Sequence, residues 1–280
     1  METILVTGSS GYIGRHVVDA LHALGAKVVG VDIRRSDADH SDIFIECNLL
    51  DPSFGIIGKL PETPSACLHL AWRDGFNHSA LSHMADLSNH FMFLDHIIDA
   101  GIPRVACMGS MHEVGYCEGE IDEATPCEPQ SYYGIAKDAL RRAFFLKASK
   151  SGIVAQWLRG FYIYGDDNGT QSIFGKLKQA AQNGKTTFPF TSGKNKYDFL
   201  PIDEFAIQIA CCVMQSEIDG IINCCSGQPV SLADQVEEYI KANGLRITLE
   251  YGAYPDRPYD SPSIWGNTSK IKAILSAKAV

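Results

Sequence analysis

Apolar positions in this chain follow two alternating patterns, and the alternation predicts the architecture. Short runs rich in β-branched residues, Thr3-Ile4-Leu5-Val6-Thr7 and Lys27-Val28-Val29-Gly30-Val31-Asp32 among them, are bounded by turn residues. They predict strands near 3–7, 27–32, 43–46, 66–71, 104–109, 153–158 and 221–224. Longer stretches with apolar residues three and four apart predict helices near 12–24, 79–99, 131–151, 170–183, 203–216 and 231–243. Strands alternating with helices give an α/β fold with a doubly wound parallel sheet, whose ligands bind across the carboxyl ends of the strands. The turn-rich stretches Glu118–Gln130 and Tyr251–Pro262 predict loops approaching that edge.

The first predicted strand runs into Gly8-Ser9-Ser10-Gly11-Tyr12-Ile13-Gly14, and a helix leaves this turn at once. Gly8 permits the tight turn, Gly11 lets backbone approach a pyrophosphate, Gly14 lets the helix pack on the strand, and the phosphates meet the helix N-terminus. Asp32 ends the second strand eighteen residues after Gly14. A carboxylate there accepts the adenosine ribose hydroxyls and repels a 2′-phosphate, which favours NAD over NADP. Arg34 and Arg35 follow and could hold that phosphate, so NADP stays open as the alternative.

Ser131-Tyr132-Tyr133-Gly134-Ile135-Ala136-Lys137 adds redox chemistry. Tyr133 and Lys137 stand at i and i+4 on one helix face, so the ammonium is expected to lower the phenol from its ordinary pKa of about 10. The bare pattern also fits a surface pair on an amphipathic helix, but its place after a dinucleotide turn favours catalysis.

Together these motifs resemble the extended short-chain dehydrogenase/reductase family, the sugar-nucleotide epimerases, dehydratases and reductases, nearly end to end. The glycines match its Gly-x-x-Gly-x-x-Gly, and Cys67-Leu68-His69-Leu70-Ala71 resembles its fourth strand. Met108-Gly109-Ser110 resembles the end of its fifth, and Tyr133 and Lys137 match its Tyr-x-x-x-Lys. Leu158-Arg159-Gly160-Phe161-Tyr162-Ile163-Tyr164-Gly165 resembles the segment that closes over nicotinamide and substrate, and Arg257-Pro258-Tyr259-Asp260-Ser261-Pro262 keeps the family's spacing. The resemblance implies Ser110, Tyr133 and Lys137 as catalytic residues. It implies NAD contacts from Gly8, Ser10, Gly11, Tyr12, Ile13, Gly14, Asp32, Ile33, Arg34, Asn48, Leu49, Leu70, Ala71, Trp72, Asn89, Tyr133, Lys137, Phe161 and Ile163. The sugar nucleotide would meet Arg73, Ser110, Met111, His112, Tyr133, Tyr162, Lys196 and Arg257, the last on its diphosphate. A Rossmann-type domain is implied over 1–165, completed by about 199–225, with a small substrate-binding lobe from 166–198 and 226–280. A homodimer is also implied.

Departures from the family pattern narrow the chemistry. Tyr197-Asp198-Phe199 stands where many members have Arg-Asp-Phe, which leaves Lys196 as a point charge. Asn48 replaces a frequent aspartate, but its carbonyl can still accept from the adenine amino group. Ser110 is followed by Met111, His112 and Glu113 rather than the dehydratases' Asp-Glu pair, and expelling a hydroxyl needs an acid and a base. The runs His69–Phe76 and Gly109–Tyr116 are most similar to bacterial dTDP-4-keto-6-deoxyhexose reductases. The implied reaction is NAD(P)H-dependent reduction at C4 of a dTDP- or other NDP-linked 4-keto-6-deoxyhexose. An NDP-hexose 4-epimerase with retained NAD is the first alternative. A non-catalytic dinucleotide-binding regulator is the second, and the joint presence of Ser110, Tyr133 and Lys137 weighs against it.

Charge restricts the partners. A net charge of −9, a pI near 5.4 and the lack of a basic run argue against a nucleic-acid surface, so a diphosphate must be met by local cations. No apolar stretch reaches membrane-spanning length and the chain enters a strand directly, which predicts a cytoplasmic protein. The nine cysteines fit no common zinc spacing and read as buried thiols. His69 reads as a core histidine, and His78, His83, His90 and His96 form no metal face, so no metal is expected.

Overall fold

The computed structural model describes residues 1–51, 55–165, 171–256 and 260–278. Its elements run β1 (Thr3–Thr7), α1 (Tyr12–Ala23), β2 (Lys27–Asp32), β3 (Ile43–Glu46), β4 (Ala66–His69), α2 (Ser82–Ala85), α3 (Leu87–Asp99), β5 (Arg104–Ser110), β6 (Gly119–Ile121), α4 (Tyr132–Ser151), β7 (Val154–Gly160) and β8 (Tyr162–Tyr164). They continue with α5 (Ile173–Gln182), β9 (Thr187–Pro189), β10 (Lys196–Pro201), α6 (Ile202–Val213), β11 (Gly220–Cys224), β12 (Pro229–Ser231), α7 (Leu232–Ala242), β13 (Thr248–Glu250), β14 (Ser263–Gly266) and α8 (Ser269–Lys278).

The seven strands expected from the sequence form one sheet, ordered β3-β2-β1-β4-β5-β7-β11, with every pairing parallel. The order reverses between β1 and β4, which opens a crevice at their carboxyl ends. Helices cover both faces, which is why these strands are nearly continuous apolar runs. On one face α1, α6 and α8 enclose Val17, Leu21, Phe205, Ile209 and Ile271; on the other α3 and α4 enclose Phe93, Ile97, Leu140, Phe144 and Trp157. Among the described residues no helix is long and apolar enough to cross a membrane.

A third core joins Phe161, Phe174, Leu177, Tyr197, Phe199 and Ile264 beside a smaller sheet ordered β12-β10-β14-β6, with β8 on β10. Asp198, fully buried on β10, accepts Ser226 N (2.8 Å) and Oγ (2.6 Å), Gly227 N (2.8 Å) and Gly266 N (3.1 Å). That one carboxylate ties β10, the turn after β11 and β14 together.

The structure corrects the expected elements in three places. The single helix over 79–99 is two, α2 and α3, with Asp86 between them and its carboxylate turned onto Arg73. The strand over 66–71 stops at His69 because Leu70 N and Ala71 N turn to Thr7 O (3.2 Å) and Thr7 Oγ1 (3.3 Å). The stretch 118–130 is not all loop, since β6 lies in it and pairs with β14.

Candidate active site

The glycine turn sits in the crevice between β1 and β4. Gly8 has φ +71°, and a Cβ there would lie 2.8 Å from Ala71 N; a Cβ on Gly14 would lie 2.0 Å from Gly8 O. At Gly11 a Cβ would meet only Gly8 O, at 3.1 Å, so the outer side of the turn is open. Gly11 caps α1 without a side-chain bond, and no acid stands in the first turn. With no side chain capping it, the N-terminus of α1 fits the diphosphate of a dinucleotide. Tyr12 Oη donates to Gly165 O (2.5 Å), which ties the turn to the end of β8.

Asp32 accepts Ser10 N (3.2 Å) and Ile33 N (2.7 Å), and burial pushes its carboxyl above the usual value. Asn48 Oδ1 accepts Leu50 N (3.1 Å), and Asn89 Nδ2 donates to Leu50 O (2.8 Å), which fixes the segment in which Leu49 is buried. Leu70 and Ile163 pack on the core beside α1, and Phe161 is buried in the third core.

Ser110 ends β5, and Ser131 caps α4 by accepting Gly134 N (3.1 Å), which sets Tyr133 in the first turn and Lys137 one turn on. The Ser110 side chain lies beside the Tyr133 phenol, where it favours the phenolate. Burial nevertheless pushes Tyr133 up to about 12, so the phenol is protonated at neutral pH and poised as a donor. This corrects the expectation that Lys137 lowers it. Lys137 Nζ donates to Met108 O (2.7 Å), lies 3.7 Å from the Trp72 ring centroid and 5.9 Å from that of Tyr133, and is itself pushed down to about 8 by burial.

Aromatic side chains wall this pair. Trp72 Nε1 donates to His83 Nδ1 (3.1 Å), and its ring stacks on His90 at 4.3 Å. His90 Nδ1 lies 3.0 Å from His69 Nε2, and His69 Nδ1 lies 2.8 Å from Thr7 Oγ1, so His69 is a satisfied core residue. His78 stacks on Tyr133 at 4.9 Å, and His112 stands edge-on to His78 at 4.2 Å. Burial lowers His78, His90 and His112, the last two to about 3, so these three are neutral. Sequence reasoning nominated Trp72 and His112 but missed His78, His83 and His90, whose spacing carries no signal. No group of three or more His, Cys, Asp or Glu among the described residues is placed to hold a metal.

Behind Ser110 lies Glu113, fully enclosed. It accepts Ser110 N (2.8 Å) and Trp157 Nε1 (2.8 and 2.9 Å), with Arg141 Nε at 3.0 Å and Arg159 Nε at 3.7 Å. Neither arginine Nε makes a directed hydrogen bond, so these are Coulombic contacts. Ser110 and Glu113 form a capping box, a Ser-x-x-Glu signal legible in the sequence and overlooked there.

Residues 4–225 match the model of the NAD dependent epimerase/dehydratase family. The chain belongs to that family. It is 40% identical over 268 residues to the dTDP-6-deoxy-L-talose 4-dehydrogenase (NAD(+)) of Aggregatibacter actinomycetemcomitans, covering 94% of this chain and 98% of that one. It is 25% identical to the uncharacterized UDP-glucose epimerase YtcB of Bacillus subtilis (strain 168), covering 97% and 91%. The solved structure of MoeE5 in complex with UDP-glucose and NAD has the same fold, with a TM-score of 0.82 at 24% identity over 98% of this chain and 92% of that one.

Within this epimerase/dehydratase family chain, the substrate residues expected from the sequence are placed unevenly. The Arg73 guanidinium forks onto Asp86 (2.5 and 2.9 Å), and Met111 is buried in the third core. Tyr197, at the customary arginine position, packs 4.4 Å from Tyr162, while Lys196 is exposed at the start of β10. Arg257 lies outside the described residues.

Proposed function

We propose that this enzyme is an NAD-dependent 4-ketoreductase of a dTDP-linked 4-keto-6-deoxyhexose, working as a homodimer in nucleotide-sugar biosynthesis. The observation that carries the reading is the gathering of Ser110 and Lys137 around the Tyr133 phenol, which burial keeps protonated, beside a turn shaped for a dinucleotide. The 40% identical relative supports the substrate class and cofactor: its name specifies a dTDP-linked 6-deoxy sugar, position 4 and NAD(+).

In this reading the first-turn amides of α1 hold the diphosphate of the dinucleotide, Asp32 its adenosine ribose and Lys137 its nicotinamide ribose. Bound NADH supplies the hydride for C4. Tyr133 donates its proton to the oxygen on which charge develops, and Ser110 places a second donor there. The resulting phenolate is stabilised by Ser110. Glu113, enclosed by Trp157, Arg141 and Arg159, leaves no free acid–base pair next to Ser110 for expelling a hydroxyl.

The deciding experiment incubates the enzyme and NADH with dTDP-4-keto-6-deoxyhexoses, dTDP-4-keto-6-deoxyglucose and the C4 ketone of dTDP-6-deoxy-L-talose among them, and identifies the product by NMR. Stoichiometric loss of NADH with a new C4 alcohol is expected. Isomerisation without net loss of NADH would mean a 4-epimerase, and binding without turnover a regulator; either overturns the proposal.

A pH prediction follows from Lys137. Its charge is present below about 8 and is lost as the pH rises through that value. The kcat/KM for NADH should therefore fall above about pH 8, and Lys137→Arg, whose guanidinium stays charged, should lose that break. Steady-state pH profiles of the two proteins check this.

A further inference from the structure

Asp39 lies between β2 and β3, seven residues beyond Asp32, and is only 4% exposed. Its Oδ2 accepts the hydroxyls of Ser9 (2.6 Å) and Ser10 (2.7 Å), and its Oδ1 accepts Ser41 N (3.0 Å) and Oγ (2.6 Å). Burial opposes ionisation, but the bonds from Ser41, Ser9 and Ser10 outweigh it and hold the carboxyl below its usual value. Asp39 is therefore a fixed negative charge at neutral pH.

Both carboxylates meet at Ser10, which gives its backbone N–H to Asp32 (3.2 Å) and its hydroxyl to Asp39. They are near enough for Asp39 to oppose the ionisation of Asp32. Arg35 is engaged at the Asp39 backbone: it donates to Asp39 O (3.3 Å) and Ser41 O (2.9 Å), and its guanidinium lies 5.5 Å from the Phe44 ring centroid. Arg34, exposed two residues beyond Asp32, favours the Asp32 charge and so opposes the effect of Asp39 there.

From this arrangement we propose that Asp39 is a second specificity-determining residue of the dinucleotide site. It occupies the Ser10 hydroxyl, which would otherwise donate to a 2′-phosphate, and it adds a second negative charge beside Asp32. A dinucleotide with a free adenosine 2′-hydroxyl is accepted, and one with a 2′-phosphate is refused even without Asp32. The inference rests on NAD binding at the glycine turn.

Calorimetric titration of wild type, Asp32→Ala, Asp39→Asn and the double variant with NAD+ and NADP+ tests it. Asp32→Ala should weaken NAD+ roughly tenfold without admitting NADP+. Asp39→Asn should tighten NADP+ roughly fivefold or more while NAD+ stays within about twofold, and the double variant should favour NADP+. If Asp39→Asn fails to fold, Asp39→Ser keeps a hydroxyl partner for the serines and gives the same reading. An unchanged NADP+/NAD+ ratio, equal weakening of both, or tight NADP+ binding by Asp32→Ala alone would each overturn the proposal. Wild type that binds neither dinucleotide would overturn the NAD reading itself and the proposal with it.

Discussion

Tyr133→Phe is expected to bind NADH as wild type does and to reduce the keto sugar about a hundredfold more slowly, or worse. Only a hydroxyl is removed, and the phenol ring, stacked on His78 and edge-on to Trp72, keeps its packing. What is lost is the proton donor, and no neighbour can replace it. Burial brings His112 to about 3 and lowers His78, so neither carries a spare proton near neutrality. Ser110 can still hydrogen-bond the oxygen but cannot protonate it at neutral pH. Rapid-mixing measurement of NADH oxidation, paired with NADH titration, separates the two effects. Turnover close to wild type would exclude Tyr133 and leave its neighbour Tyr132, which is 44% exposed and at i to i+5 from Lys137.

What could be foreseen from the sequence follows the range of the interactions. The glycine turn and Asp32 are local, and each glycine has the steric role its spacing implies. The strands of the large sheet were legible because burial on both faces makes their composition uniform. Strands β6, β8 and β12 were not: each has three residues, too few to show a period of two, and each exists only through its partner. The site divides in the same way. Ser110, Tyr133 and Lys137 could be named because two lie one helical turn apart and the third ends a strand. The state of their protons could not, because it depends on burial by side chains remote in sequence, Trp72 from the loop after β4 among those beside Lys137. Of the four residues around Glu113 only Ser110 is related to it by a legible spacing; Arg141 on α4 and Trp157 and Arg159 on β7 are not.

That last cluster sets the second large effect. Glu113→Ala should destabilise the fold by about 3–5 kcal/mol, since breaking a buried pair leaves an uncompensated charge inside the protein. Arg159 is wholly buried, its Nη1 bonded to Asp122 O (3.0 Å), and it cannot turn to solvent to relieve that charge. Trp157 Nε1 and Ser110 N would lose their acceptor as well, each at the cost of a buried, unmade hydrogen bond. Glu113→Gln keeps an acceptor for both and removes only the charge, so its melting temperature should fall between wild type and alanine. The same carboxylate holds the backbone from which Ser110 projects. In the glutamine variant, the portion that remains folded should therefore lose kcat more than it gains in KM for the sugar. Thermal melts together with steady-state kinetics decide both points: an alanine variant that melts with wild type would refute the buried-charge argument. A glutamine variant with lower stability and unchanged kcat would confine Glu113 to the core.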